Sequence, residues 1–507
     1  MELSLPAAIM FSVYLLVMLG IGVWVYQRNK SLSDFVLGGR SLGSWVAALS
    51  SVASDMSGWL LLGLPGAAYA GGLGAGWIAV GLAAGTYLNW RIVASPLRVY
   101  TERAGAFEKP GGSITLSEYL ENRFEDRSHA LRVISAAVII VFFCVYVASG
   151  LVAGGTLFNQ VFGLNTGVAM TIAVLVIVSY TFLGGFLAVS LTDFLQGSLM
   201  WAAIIAIPLV AVAGFGGFSA LTGGLESANP ALLSVTESVE NAGGGWTSEG
   251  ALGAFGIASG LAWGLGYFGQ PHILARFMGI RSASEVAPAR RIATVWVVTG
   301  LAAAAFIGLA GIALFENQLA NSETVFINMA QQLFNPWIAG ILLVGVIAAI
   351  MSTADSQLLV VSSALSEDFY RTFLNRDAPD NVLLWVGRIT VVIVAIVAYV
   401  LALQGGSVLD LVSYAWAGFG AAFGPIILVS LFWRGMTWLG ALAGMVSGAV
   451  TVVAWNRLDP FGWGLYEILP AFIIALIAIF VFSRLGPSPS QQMHSDFDAV
   501  KRDLERN

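Results

Sequence analysis

An acidic residue, Asp55, stands in the middle of an apolar stretch, SVASDMSGWLLLGLPG at residues 51–66. A charge at bilayer depth costs about 2.5–3.5 kcal/mol on insertion scales, so such residues usually mark an ion or substrate pathway. Glycine in the same stretch disfavours continuous helix, and unwound backbone exposes carbonyl oxygens that can bind a cation. We therefore expect Asp55 at a helix break, as a direct or nearby counter-charge for a cation. A structural acid paired with an internal donor is the alternative.

A second interruption is predicted in GLGYFGQP, residues 264–271, where glycines and Pro271 again disfavour helix. Trp263 and Tyr267 are four residues apart and share a helical face, which Pro271 continues. Such a stripe beside a break could hold a small ligand with an apolar body. Aromatic stripes in membrane helices are more commonly packing or interface anchors, and Tyr146, in FFCVYVASG, is open to the same two interpretations.

Hydroxyl groups cluster in AAIMSTADSQLL, residues 348–359, which contains Ser352, Thr353 and Ser356. A hard cation prefers oxygen ligands, but hydroxyls in membrane helices more often bond their own backbone. Asp193 and Asp355 are further acids in apolar surroundings. Together with Ser356 they could form a second cation or proton site, and interhelical hydrogen bonding explains them equally well.

The composition is that of a polytopic membrane protein. Of the 507 residues, 58% are hydrophobic and only 10% are charged, which is too few charges to cover a soluble globule of this size. A spanning helix needs roughly 20 apolar residues, and we predict thirteen spans, near residues 5–26, 43–71, 76–96, 133–161, 166–183, 188–214, 250–275, 292–315, 336–366, 382–403, 407–433, 437–455 and 465–484.

The distribution of Lys and Arg predicts the orientation, because these residues favour the cytoplasmic side. They collect in alternate loops, whereas the polar loop 215–249 contains none. We expect the N-terminus outside, the C-terminus in the cytoplasm, one transmembrane domain over 1–484 and a tail over 485–507. A solvated tail is favoured over a short amphipathic helix. The net charge of −6 comes with no basic surface for nucleic acid.

Four stretches resemble the sodium/solute symporter family, and most closely its bacterial sodium/proline symporters: LAWGLGYFGQPHILARFM (261–278), SDMSGWLLLGLPG (54–66), YTFLGGFLAVSLTDFLQG (180–197) and VSYAWAGFGAAFGP (412–425). The resemblance runs from the first span to the last. It implies an all-α, leucine-transporter-like fold with two inverted five-helix repeats, over about 43–214 and 250–433, with one extra helix before them and two after.

The resemblance also implies the roles of individual residues. It places a sodium ion at the backbone carbonyls of Ala53, Met56 and Ala349 and the hydroxyls of Ser352 and Thr353, with Asp55 linked to sodium binding. It places the substrate near Ser57 and Gly58 and associates Tyr146, Trp263, Tyr267 and Pro271 with proline. Some relatives use a residue matching Asp193 in a second sodium site, together with small hydroxyl residues that follow the positions matching Ser352 and Thr353. This chain has Asp355 among those following positions, which departs from that pattern.

The function implied is sodium-coupled uptake of L-proline across a bacterial inner membrane by alternating access. Its partners are sodium, proline and the lipid bilayer. The main alternative is the same carrier with another substrate, such as pantothenate, a different small carboxylate or another amino acid. A membrane sensor is disfavoured because no soluble domain follows the last span in this sequence, and a membrane enzyme because no catalytic constellation is recognisable.

Overall fold

This computed structural model describes residues 4–26, 36–103, 112–181, 185–241, 245–315, 318–459, 462 and 464–506. Residues 182–184, within one of the four stretches quoted above, lie outside the described part. Helices dominate what is described, and ten of them are long and apolar enough to cross a membrane. A bilayer offers no hydrogen bonds to the backbone, so apolar segments of this length satisfy their own N–H and C=O groups as helices.

The first half of the chain contains helices α1 (Ser4–Tyr26), α2 (Ser44–Asp55), α3 (Leu64–Gly71), α4 (Gly76–Leu88), α5 (Ala94–Arg103), α6 (Leu116–Phe124), α7 (Ala130–Phe162), α8 (Thr166–Thr181) and α9 (Phe186–Gly214). The predicted polar loop after α9 is folded. It contains helix α10 (Phe218–Ala228) and an antiparallel hairpin of β1 (Glu237–Asn241) and β2 (Trp246–Ala251).

The second half contains helices α11 (Gly253–Ala262), α12 (Pro271–Gly279), α13 (Val286–Leu314), α14 (Val325–Leu333), α15 (Pro336–Ser363), α16 (Asp380–Ala402), α17 (Val408–Phe432), α18 (Trp438–Leu458), α19 (Ile468–Leu485) and α20 (Gln491–Arg506). The long helices α7, α15 and α17 are mostly buried and form the centre of the bundle, whereas α1, α9, α18 and α19 expose more of their apolar surface.

Local sequence signals fix several helix ends. Asn335 accepts hydrogen bonds from the backbone N–H groups of Trp337 and Ile338, and Pro336 follows at the first helical position of α15. Ser407 caps α17 in the same way. These side chains satisfy N–H groups that have no partner within the helix, and proline loses nothing at that position because its missing N–H would be unpaired. Helix α15, which carries the hydroxyl cluster, therefore has a defined start.

Both predicted interruptions are confirmed. Helix α2 ends at Asp55, Met56 leaves helical geometry with φ −79° and ψ 72°, and a π-helical segment, Trp59–Gly63, leads into α3. Helix α11 gives way to a 3₁₀ segment, Trp263–Gly269, and an extended Gln270 before Pro271 begins α12. Both breaks are buried, so each brings irregular backbone into the interior.

The tail differs from the favoured expectation of a solvated segment. Helix α20 docks on the protein, with Met493 and Val500 buried and the Arg123 guanidinium over the ring of Phe497. Arg103 at the end of α5 pairs with Asp503, and Arg434 pairs with Asp498 at 3.0 Å. The amphipathic alternative is therefore the one the structure contains, because Met493, Phe497 and Val500 share one face of the helix.

Candidate binding site between the two broken helices

A direct hydrogen bond joins the two breaks. The Tyr267 hydroxyl donates to Oδ2 of Asp55 at 2.5 Å, and both side chains are buried. The other carboxylate oxygen, Oδ1 of Asp55, has no hydrogen-bond partner among the described residues. A buried carboxylate oxygen without a donor is energetically costly, so this oxygen is available to a cation or to a donor group of a ligand.

Aromatic side chains form a wall on the second break. The ring centroids of Trp263 and Trp59 lie 6.4 Å apart, and Tyr267 meets Trp416 edge to face at 5.0 Å. Trp416 also donates from Nε1 to the carbonyl of Trp263 at 2.8 Å, which fixes the 3₁₀ segment against α17. A Cβ at Gly266 would lie 1.8 Å from this Nε1. Glycine is therefore required where the indole crosses the segment.

Three residues assigned by resemblance lie at the first break. The Tyr146 hydroxyl donates to the Asp55 carbonyl at 3.3 Å, so α7 contacts the end of α2. Gly58 faces α7 so closely that a Cβ would lie 2.6 Å from the Cβ of Ala153. Ser57, between them in sequence, is buried. The structure brings these residues together around the unwound backbone.

Pro271 occupies a different place from the aromatic residues. It begins α12 and lines a small cavity of about 30 Å³ with Ala275 and Asp368. The stripe of Trp263, Tyr267 and Pro271 predicted from helical spacing is thus divided, because Trp263 and Tyr267 lie on the 3₁₀ segment while Pro271 follows it.

Oxygen atoms of α2 and α15 converge beside Asp55. The Ser352 hydroxyl donates to the carbonyl of Ala53 at 2.8 Å and to that of Ala349 at 3.2 Å, and the Thr353 hydroxyl lies 3.3 Å from the same Ala53 carbonyl. These hydroxyls bridge two helices instead of bonding only their own turn. Met56 follows Asp55 at the end of α2. The set consists only of hydroxyl and carbonyl oxygens, and this donor chemistry fits a hard cation.

Asp193, Ser356 and Asp355 lie around an internal cation, Arg276. The Arg276 guanidinium donates to Oδ2 of Asp193 at 3.0 Å and to Ser356 at 2.5 Å, and Ser50 completes the cluster. Asp355 is buried, and neither of its carboxylate oxygens has a hydrogen-bond partner among the described residues. Sequence reasoning grouped these acids but missed Arg276, whose charge already offsets that of one of them.

Comparison with known proteins identifies the family. The model of the sodium:solute symporter family matches residues 35–448. The chain belongs to this family. A sodium/proline symporter of Escherichia coli (strain K12) is 48% identical to this symporter-family protein over 506 residues, which cover 98% of the chain and 96% of the relative. A high-affinity proline transporter of Bacillus subtilis, PutP, is 47% identical over 95% of the chain and 98% of the relative.

Solved structures support the fold of this family member. A sodium-coupled sialic acid symporter, in a substrate-bound outward-open state, aligns with a TM-score of 0.75 at 20% identity and covers 95% of this chain and 98% of its own. MhsT in complex with L-phenylalanine aligns with a TM-score of 0.53 at 15% identity, over 87% of this chain and 97% of its own. These alignments confirm the overall helical fold of the chain.

Sequence reasoning missed several aromatic members of the site. Trp59 was quoted within the first break and Trp416 within a family-like stretch, but neither received a role. Asn89, whose side-chain amide donates to the Tyr267 carbonyl at 2.9 Å, and Tyr466, which stacks on Trp263, carried no motif at all. Only the polar or glycine-rich surroundings of Trp59 and Trp416 could have indicated them.

Proposed function

We propose that this protein is a secondary transporter that uses the sodium gradient to take up L-proline across a bacterial inner membrane. The proposal rests on the near full-length similarity to proteins named as sodium/proline symporters. The structural observation that carries it is the hydrogen bond between Tyr267 and Asp55. This bond joins the group of oxygens suited to a cation to the aromatic wall suited to an apolar ring.

Sodium would bind between α2 and α15. Its ligands would be the carbonyls of Ala53, Met56 and Ala349 and the hydroxyls of Ser352 and Thr353, with Asp55 as the nearby negative charge. The short contacts from both hydroxyls to the Ala53 carbonyl support this assignment. When an ion is bound, these hydroxyls turn their lone pairs towards it, and the end of α2 is then fixed by the ion instead of by the hydroxyl protons.

Proline would bind at the unwound backbone of Ser57 and Gly58. Half-helix N–H groups favour a carboxylate at such a break because the helix dipole presents positive charge there. The apolar ring would pack against Trp263 and Tyr267, with Tyr146 nearby. Pro271 is assigned to the substrate by the resemblance alone, because it lies beside a different cavity. The ion would order Asp55 and the substrate would order Tyr267. Because a hydrogen bond joins these two residues, binding of each ligand would favour binding of the other.

The geometry at Asp193, Asp355 and Ser356 argues against a second cation there. The Arg276 guanidinium lies between Asp193 and Ser356, so it supplies a positive charge where a second ion would have to bind. One sodium per proline is therefore the stoichiometry we propose.

We propose thirteen spans in two inverted five-helix repeats, over about 43–214 and 250–433, with the N-terminus outside and the C-terminus cytoplasmic. Residues 1–484 would form one membrane domain and 485–507 its cytoplasmic tail. Beyond the ten long apolar helices, the shorter helices α2–α3, α8 and α11–α12 supply the remaining predicted segments. The two broken helices lie at corresponding positions in the two repeats, as expected for transporters of this kind.

The energy of the gradient is sufficient for accumulation. One charge moving across about 100 mV yields roughly 2.3 kcal/mol, and a tenfold sodium gradient adds about 1.4 kcal/mol. Together these support an accumulation of roughly 500-fold without ATP.

The test is uptake of labelled L-proline into proteoliposomes containing the purified protein, with an inward sodium gradient compared with an equal potassium gradient. Accumulation with sodium alone that unlabelled proline abolishes is the expected result. If folded protein takes up no proline under either gradient, the substrate assignment is wrong, and other small carboxylates such as pantothenate or other amino acids are tested by sodium-dependent thermal stabilisation.

A further inference from the structure

Tyr466, which precedes α19, stacks on the tryptophan of the proposed substrate site. Its ring centroid lies 5.3 Å from that of Trp263, with an angle of 30° between the ring planes. Trp263 in turn approaches Trp59 of the first break at 6.4 Å. Three aromatic rings thus form a continuous row from the loop before α19 to the unwound part of the first broken helix.

The position of Tyr466 is fixed from three sides. Its hydroxyl donates to the Ser413 carbonyl on α17 at 2.7 Å, and its backbone N–H donates to the Ser259 hydroxyl on α11 at 3.0 Å. The carbonyl of the preceding residue, Leu465, accepts from Trp455 Nε1 on α18 at 3.2 Å. A tyrosine loses little conformational freedom when held in this way, so its ring presents a rigid surface to Trp263.

Trp263 borders a cavity that leads away from the site. This cavity has a volume of about 280 Å³, and Trp263 lines it together with Ser259 of α11 and with Glu237 and Val239 of the hairpin strand β1. Trp263 thus lines this cavity and also contacts Trp59 at the first break, so a change in its orientation would alter the shape of both the cavity and the proposed substrate site.

We infer that Tyr466 is a positioning residue for substrate selection, which holds the Trp263 ring in the orientation that closes the site around a five-membered ring. This inference rests on the proposed function, because it takes Trp263 as a substrate contact. It assigns a role in specificity to the segment before α19, which lies outside both proposed repeats. The interaction that matters is the stacked ring, and the backbone N–H bond to Ser259 holds that ring in place independently of the hydroxyl.

The first test compares uptake of proline with uptake of its six-membered-ring homologue, which has one more methylene. A tight apolar pocket discriminates one methylene by about 10–200-fold. We expect Tyr466→Ala to raise KM for proline about fivefold or more with a smaller change in kcat, and to reduce discrimination against the larger ring by a similar factor. Tyr466→Phe keeps the ring and should retain the discrimination of the unchanged protein.

Phe480→Ala is the matched control. Phe480 belongs to α19 and forms another contact of an aromatic residue with a tryptophan, Trp433, at 4.8 Å and with 45° between the ring planes. It should leave the ratio between the two substrates unchanged. If Tyr466→Ala and Phe480→Ala both lower uptake of the two substrates equally, or if Tyr466→Phe loses discrimination as fully as Tyr466→Ala, the inference is wrong.

A second test needs no substrate. In a Cys144→Ser background, the variant Ser57→Cys, which keeps the Trp263 and Tyr466 rings and places the thiol at the buried first break, is labelled with a membrane-impermeant thiol reagent in intact cells. We expect Tyr466→Ala to accelerate labelling about tenfold and Phe480→Ala to leave the rate unchanged. Equal rates in all three proteins would overturn the inference. If the unchanged protein takes up no proline, the proposed function is refuted instead. The labelling rates still show whether Tyr466 controls access past Trp263.

Discussion

The hydroxyl oxygen of Ser352 lies 2.8 Å from the carbonyl oxygen of Ala53, so one side chain of α15 holds the last turn of α2. Thr353 approaches the same carbonyl at 3.3 Å. In the structure the two hydroxyls donate to this carbonyl, and in the proposed sodium-bound state the same three oxygens would be ligands. The end of α2 is held in both cases, but by different forces.

This relationship predicts a selective loss of sodium affinity. Ser352→Ala removes a proposed ligand, and we expect the sodium concentration for half-maximal proline uptake to rise roughly tenfold or more, equivalent to about 1.4 kcal/mol per factor of ten. Thr353→Val should act in the same direction. Sodium titration of uptake in proteoliposomes measures both effects.

Ser363→Ala is the control for this prediction. Ser363 also belongs to α15, but its hydroxyl donates to the Val360 carbonyl of its own helix at 2.8 Å. Its replacement should leave the sodium dependence unchanged. A shift as large as that of Ser352→Ala would assign the effect to general damage of α15 and contradict the sodium site.

The bond between Tyr267 and Asp55 predicts coupling between ion and substrate. Asp55→Asn should raise the sodium requirement, and Tyr267→Phe should raise KM for proline. Because the two groups contact each other directly, the double variant should be less impaired than the sum of the single variants, by about 0.5–3 kcal/mol. Kinetics of the four proteins at several sodium concentrations give the coupling energy. Full sodium-stimulated uptake by Asp55→Asn with an unchanged sodium requirement would refute the role of Asp55.

The buried pair of Arg276 and Asp193 predicts a large loss of stability when only one partner is removed. Arg276→Met leaves the Asp193 carboxylate without its cation, and breaking a buried pair in this way costs about 3–5 kcal/mol. Replacing both residues, with Asp193→Leu added, should recover part of the loss. The expected order of stability is unchanged protein, double variant, then Arg276→Met. Thermal unfolding in detergent, followed by the fraction of protein that remains monodisperse, measures it. A double variant less stable than Arg276→Met would contradict it.

The docked tail helix predicts that apolar contacts outweigh its ion pairs. Asp498→Asn removes the pair with Arg434, whose two side chains are 52% and 41% exposed, and pairs as exposed as this are worth about 0–1 kcal/mol. Val500→Asp instead places a charge where an apolar side chain is buried, which forfeits about 1.5–3 kcal/mol of burial. We expect limited proteolysis to release the tail readily from Val500→Asp and hardly from Asp498→Asn. The reverse order would show that charge holds α20.

The sequence predicted the features that depend on local chemistry. An acid among apolar residues, glycines before Pro271 and adjacent hydroxyls on one helix are all local patterns, and they located both breaks and the hydroxyls of Ser352 and Thr353. The carbonyls of Ala53, Met56 and Ala349 were indicated only by the family resemblance. It did not predict Arg276 beside Asp193 or Tyr466 on Trp263, because these partners are 83 and 203 residues apart and neither arginine nor tyrosine carries a local signal for its partner. The docking of α20 was likewise undecided, since an amphipathic face alone does not reveal the surface that covers it.

The glycines of α4 constrain how the protein can move. A Cβ on Gly85 would lie 2.3 Å from the carbonyl oxygen of Gly264, and one on Gly81 would lie 2.6 Å from that of Leu261. The backbones of α4 and of the segment from α11 into the second break therefore touch without intervening side chains. We therefore expect these two elements to move together during transport, with the motion that opens the site at their outer surfaces.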